Sequence, residues 1–473
     1  MAIINARSPY FISVTDTDLA TATLDIEIYT GDKTTGYTGT PTYSLSKQII
    51  LTTTQISFEI AELIRDYLDA SFDGDYDTTA ESSSKWVRTI LTAKDGNGVQ
   101  LSQTISTDLA FDSYLYFQEP NTFSLFYRAL LMSQRDINTP PLADYRIPIY
   151  TEKNPTLLFL DSAGATQRTV SYTTSTQSNA QIESVELFPE LCVNGNFTTD
   201  SGWTKESADW KINNGASFLN SSDLAIDRLF QSSAGLTAGV NITSEFTVTN
   251  FSGTGTARMR YPFLIPITRN GFYRASGVGE FVASERIQFE AQADDLTTPL
   301  TFSIDNVSVK ETVDVSSIRI TDDDSITLLQ LNEQCPDKFE PYKVTFTNRF
   351  GVVQDMYFFK KSVEKMTTKR ENYKANTLTS SNTYSTSSHT NRDFNIVGNE
   401  SISLSSGFVS ESNNEVFKQL MLSERVWITS TNNQVLPINI KTSSINYKTR
   451  LNDKLVEYTI EFDNSYNVLN DIR

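Results

Sequence analysis

One histidine, two cysteines and 57 carboxylates set the chemistry open to this chain. His389 lies in Tyr384-Ser385-Thr386-Ser387-Ser388-His389-Thr390. A catalytic imidazole needs a positioned nucleophile and an orienting partner, and a polar low-complexity stretch supplies neither. Cys192 and Cys335 are far apart and are expected to be reduced. Neither a zinc site nor a disulfide scaffold fits that count. Two carboxylates could hydrolyse a glycoside, but nothing in the spacing selects a pair. Asp73-Gly74-Asp75-Tyr76-Asp77 opens like a calcium loop. An EF-hand then requires Gly sixth and Glu twelfth, and those positions hold Thr78 and Ser84. The stretch is expected to be a solvated acidic loop, and Asp322-Asp323-Asp324 a turn. Gly277-Val278-Gly279 is no dinucleotide fingerprint, because position 282 is Val and no βαβ unit surrounds it.

The elements that must position these groups are strands. The chain has 473 residues, enough for roughly three domains at about 150 residues each. Residues 24–29 alternate, with Leu24, Ile26 and Ile28 on one face and Asp25, Glu27 and Tyr29 on the other. A second strand is expected over 48–60, ending in a short helix over 59–69. Residues 85–94 and 99–106 flank Asp95-Gly96-Asn97-Gly98, a strong hairpin signal. Residues 1–110 thus read as an N-terminal β-sandwich. Phe123 to Met132 is expected to be a buried strand or short helix. Strands follow near 146–150, 156–161 and 167–173. Beyond residue 312, strands are expected at 316–321, 326–331, 342–347, 355–359, 425–430, 434–441 and 454–463. An amphipathic stretch covers 416–422. A Ser/Thr/Asn tract over 376–391 is too polar to bury a core. It reads as a loop, or as an arm that orders against a neighbouring subunit.

Net charge is −18, which disfavours a general nucleic-acid binder because phosphate is repelled. The charge is uneven. Residues 1–186 carry 12 basic and 23 acidic side chains, whereas residues 313–473 are near balance. No window reaches the ~18 apolar residues of a membrane span, so no membrane insertion is expected. The opening MAIINARSPYF lacks a basic region followed by an apolar run, so no signal peptide is expected.

Residues 187–312 differ in kind. They open with Asn194-Gly195-Asn196-Phe197 and Gly202-Trp203, and close with Ile304-Asp305-Asn306-Val307-Ser308-Val309. This order resembles the carbohydrate-binding-like β-jelly-rolls (galactose-binding-like sandwiches) of glycan-active enzymes and phage tail or fibre proteins. The resemblance implies first and last strands that lie close together, so the module can sit in a loop of a host domain. Residues 111–186 and 313–473 are therefore joined as one interrupted β-rich host. The resemblance also implies a structural calcium held by Asp305 and carbonyls near Asn194 to Asn196. It makes Trp203, Trp210, Phe272 and Tyr273 a candidate sugar platform. Trp203 is expected in the core, and Trp210 and Tyr273 are the better candidates for a glycan-binding surface.

The run Lys418-Gln419-Leu420-Met421-Leu422-Ser423-Glu424-Arg425-Val426-Trp427 and residues 452–462 resemble tail-associated structural proteins of tailed bacteriophages. The fold class expected is mainly β and multidomain. The function expected is a non-enzymatic virion subunit of tail, baseplate or collar, made in the host cytoplasm without a signal peptide. Its partners would be copies of itself, other virion proteins and a host-surface glycan, with no cofactor beyond the calcium. The alternatives are a receptor-binding fibre or spike, a head decoration protein, and a carbohydrate-active enzyme.

Overall fold

A computed structural model describes residues 2–49, 54–120, 123–173, 181–219, 224–232, 241–279, 286–312, 315–334, 338–381, 383–429, 434–446 and 455–469. The chain is mainly β, arranged in several sheets with only short helices. Cys335 lies outside the described residues, whereas Cys192 is buried and unbridged.

The N-terminal sheet runs in the order Ile3–Asn5, Gln100–Phe111, Ser84–Lys94, Thr21–Tyr29, Tyr43–Gln48. Leu24 and Ile26 are fully buried, as their alternation requires. A two-stranded sheet of Phe11–Thr15 and Gln55–Glu59, with helix Ala61–Arg65, shares one core with it around Phe58, Ile60, Ile64 and Val87. The strand expected over 48–60 is two strands. They end at Gln48 and begin at Gln55, in different sheets. The helix is one turn and a half rather than eleven residues. The hairpin forms as the turn signal requires. Asp95 Oδ1 accepts from the amides of Asn97 (2.9 Å) and Val99 (2.8 Å), and Gly98 supplies a positive φ of 83°.

Residues 123–132 form neither the strand nor the helix expected. They are irregular, yet Leu125, Phe126 and residues 129–132 are buried. Their backbone finds scattered partners in place of a ladder. The Ala129 amide donates to Asp322 Oδ2 (2.8 Å), and the Leu131 amide to the Pro148 carbonyl (3.0 Å). Phe126 stacks on Phe111 at 4.8 Å, tying this segment to the N-terminal sheet.

One five-stranded sheet draws on both sides of residues 187–312. Its order is Thr166–Ser171, Thr156–Leu160, Ser317–Thr321, Ile326–Glu333, Asp136–Thr139. Its core joins Ile137, Ile147, Phe159 and Phe188 to Ile318, Ile320 and Leu329. The strands after residue 341 build a second core. There a seven-stranded sheet runs Val353–Phe358, Tyr342–Thr347, Val426–Thr429, Val435–Ile440, Leu455–Asn464, Asn391–Ser410, Val363–Lys374. Helix Asn414–Leu422 packs Phe417 and Leu420 into that core.

Between those strands, two five-stranded sheets enclose a single core. One runs Thr204–Lys205, Asp227–Ser232, Arg286–Ala293, Gly255–Tyr261, Ile265–Ile267. The other runs Trp210–Ile212, Ala216–Leu219, Thr301–Glu311, Asn241–Ser252, Gly271–Val278. Phe218, Phe246, Phe289 and Phe302 fill the space between them. The ends of the segment meet. Glu190 bridges to Lys310, and the Leu191 amide donates to the Val309 carbonyl (2.8 Å). Gly195 is required at this crossing, because a Cβ there would stand 1.8 Å from the Val307 carbonyl oxygen.

Candidate functional site

Trp210 is not at the surface. It is 2% exposed, and its ring packs on Phe218 (5.0 Å) and Phe302 (5.7 Å) between the two sheets. An aromatic on the inner face of a sandwich is worth more as core than as platform, because the ring removes a large apolar area from water. Trp203 is in the core as expected, on Phe197 at 5.0 Å, and its Nε1 donates to the Asn194 carbonyl (3.1 Å). Tyr273 is half-buried. Its ring lies parallel to Phe246 at 5.1 Å, and its hydroxyl donates to the Arg269 carbonyl (2.8 Å). Phe272 is the exposed member of the four, at 64%.

Asp305 is partly exposed, and its Oδ1 accepts from the adjoining Asn306 amide (2.8 Å). Two of the carbonyls expected to join it are engaged elsewhere. Gly195 accepts from the Val307 amide (2.8 Å), and Asn194 from Phe197 and Trp203. Among the described residues, no group of three or more His, Cys, Asp or Glu could hold a metal ion. The Asp73 loop turns on itself, with Asp73 Oδ1 accepting from the Asp75 amide (3.1 Å), and runs into helix Tyr76–Ser82. The side chain of Asp77 lies outside the described residues. Asp322 is the turn expected, closing on the Ser325 amide at 2.6 Å. His389 is exposed at the tip of a strand pair.

Sequence reasoning missed a buried charged cluster where three parts of the chain meet. Asp355, on strand Val353–Phe358, is fully buried. It accepts from the Tyr76 hydroxyl (2.7 and 2.8 Å), the Thr345 hydroxyl (2.7 Å) and the Arg146 amide (3.3 Å). Lys343 Nζ stands 3.6 Å from it and 2.7 Å from Asp144. Burial pushes the Asp355 carboxyl up, against the pull of Lys343. Asp144 sits at the exposed rim of the cluster, its side chain 50% exposed; desolvation opposes its ionisation, but Lys343 and Arg146 overcome it and hold that carboxyl below its usual value. The same two carboxylates raise Lys343 despite its burial. Phe72, Tyr76, Asp144, Lys310, Tyr342 and Lys343 line an adjoining cavity of about 510 Å³. Asp355 has donors on both oxygens, so it braces the seam rather than offering a free base. A signal was available in the sequence: Gln354-Asp355 interrupts an otherwise apolar strand.

The second feature is an antiparallel ribbon. Strand Val363–Lys374 pairs with Asn391–Ser410, and the tract read as a loop or arm forms its tip. Every residue of Val363–Lys374 is exposed, as are residues 391–396 opposite. The next strand in the sheet, Leu455–Asn464, pairs with only residues 401–410 of strand Asn391–Ser410. Only over 370–374 and 391–396 do the two strands stand with both faces in solvent, because Gly398 is buried and its carbonyl accepts from the Val468 amide (3.0 Å). Six residues reach roughly 20 Å at ~3.4 Å each. Met366 (56%), Tyr373 (47%), Phe394 (44%) and Ile396 (41%) are exposed along it, and Leu378 and Tyr384 at the tip.

No family model and no curated protein matches this chain. Among solved structures, a point mutant of Salmonella alpha-2-macroglobulin is 8% identical over 93% of this chain, with a TM-score of 0.09. The chain spans 36% of that structure's length, and a likeness at that score carries no argument about fold or function.

Proposed function

We propose that this chain is a non-enzymatic structural subunit of a symmetric assembly, most specifically a tail, baseplate or collar component of a bacteriophage virion. The ribbon carries the reading. An isolated two-stranded ribbon is marginal in water, because it buries too little on either face. A stretch of that length bearing Met366, Tyr373, Phe394 and Ile396 in solvent gains most by packing on another subunit. The virion assignment rests on the likeness of residues 418–427 and 452–462 to tail-associated proteins. Residues 1–110 are proposed as an N-terminal sandwich module and 187–312 as a jelly-roll inserted in the host formed by 111–186 and 313–473. The joined ends at Glu190 and Lys310, and the sheet drawn from both flanks, support insertion. The inserted module would face outward to dock fibres or to bind host glycan weakly, many copies making up for one weak site. Electron microscopy of the purified chain tests the proposal. Closed symmetric particles are expected, and isolated single chains at every concentration would contradict it.

A further inference from the structure

The ribbon is basic in an acidic protein. Residues 360–398 carry seven basic side chains (Lys360, Lys361, Lys365, Lys369, Arg370, Lys374, Arg392) and three acidic ones (Glu364, Glu371, Asp393). Arg370 pairs with Asp393 at 3.4 Å. Lys369, Lys374 and Arg392 make no ion pair among the described residues. Residues 1–186 hold the opposite charge, an excess of eleven carboxylates. Glu62, Asp66, Asp73 and Asp75 are exposed there in one short run, with Tyr67 (40%) beside them.

We propose that the ribbon of one copy docks on the acidic N-terminal part of a second copy. This deepens the assembly reading and rests on it. Two features of the ribbon choose the partner. Its unpaired cations seek carboxylates, and its exposed Tyr373, Phe394, Ile396 and Met366 seek a protein surface rather than a phosphate backbone. The chain's own charge of −18 opposes approach to nucleic acid. A second copy supplies the complementary charge, which steers encounter and fixes orientation. Donor and acceptor are different surfaces, so the contact is heterologous. It closes into a ring where the rotation per subunit allows, and otherwise propagates.

Carbodiimide cross-linking tests this directly, since it joins Lys to Asp or Glu in contact. An equal mixture of unlabelled and nitrogen-15-labelled full-length chain is cross-linked and digested. Mixed-isotope links from Lys369 or Lys374 to carboxylates within 1–110 are expected, with Glu62 and Asp66 the first candidates. In the variant Lys369→Glu/Lys374→Glu/Arg392→Glu the multi-copy mass should be lost with the melting temperature unchanged. A second variant, residues 370–396 replaced by an Asn-Gly turn, should lose the mass in the same way. A multi-copy wild type whose links map elsewhere, and whose mass survives both variants, overturns the docking and leaves the assembly reading standing. A monomer at all concentrations overturns the assembly reading itself. Salt-sensitive binding of duplex DNA by the wild type but not by the triple variant overturns the choice of partner.

Discussion

A carboxylate without water must find its donors inside the protein, and Asp355 finds them on three separated stretches of chain. Tyr76 comes from the N-terminal part, Arg146 from the segment before the sandwich, and Thr345 and Lys343 from the neighbouring strand. Asp144 and Asp355 respond to pH with opposite signs. Asp144 is held below its usual value, so its contribution is present above about pH 4 and is lost as pH falls through the lowered value. Asp355 is raised, so its contribution is full below about pH 4 and fades as pH rises through the raised value. Melting curves between pH 7 and pH 3 separate the two. Acidification should lower the melting temperature of Asp144→Asn less than that of the wild type, and equal slopes would remove Asp144 from the account. Trp210 gives a second residue-scale prediction. Buried on Phe218 and Phe302, it should cost about 3–5 kcal/mol of stability on Trp210→Ala, read by denaturant unfolding. A loss within about 0.5 kcal/mol, the range of surface substitutions, would return it to the surface.

At the scale of elements, the sandwich of residues 187–312 closes on itself. Its core is its own, and its ends are stitched at Glu190 to Lys310 and Leu191 to Val309. Replacing residues 190–312 by a short Gly/Ser bridge should therefore leave a soluble chain that melts cooperatively. The cut must spare Phe188, which belongs to the flanking core. Aggregation or non-cooperative melting of the deleted chain would show that the two parts fold only together. Local signals located these elements well. The 85–106 hairpin and the strands 146–150 and 156–161 follow from alternation and turn chemistry, which are properties of neighbouring residues, whereas the paired ends of 187–312 are implied only by resemblance. What escaped was non-local. Residues 123–132 are apolar enough for a strand, but their amide partners come from Asp322 and Pro148. Trp210 and Tyr273 carry no mark in sequence of the face they occupy. The Asp355 cluster gathers side chains up to 279 positions apart. No spacing rule reaches that far.

For the whole molecule, the arrangement of charge matters more than its sum. A chain of −18 should repel its copies, yet it carries a cationic ribbon far along the sequence from its most acidic part. Within one copy the N-terminal part already touches the C-terminal sheet, away from the ribbon. Arg7 and Arg65 both reach Glu424, and Phe72 packs on Trp427 at 5.6 Å. The outer part of the ribbon, over 370–374 and 391–396, extends beyond that sheet with both faces uncovered. Such a chain should self-assemble, and the mass of the full chain in solution, from light scattering coupled to size exclusion over a range of concentrations, decides it. The account predicts a defined multiple of 53.0 kDa that falls as salt is raised, and a mass of 53.0 kDa at every concentration would contradict it.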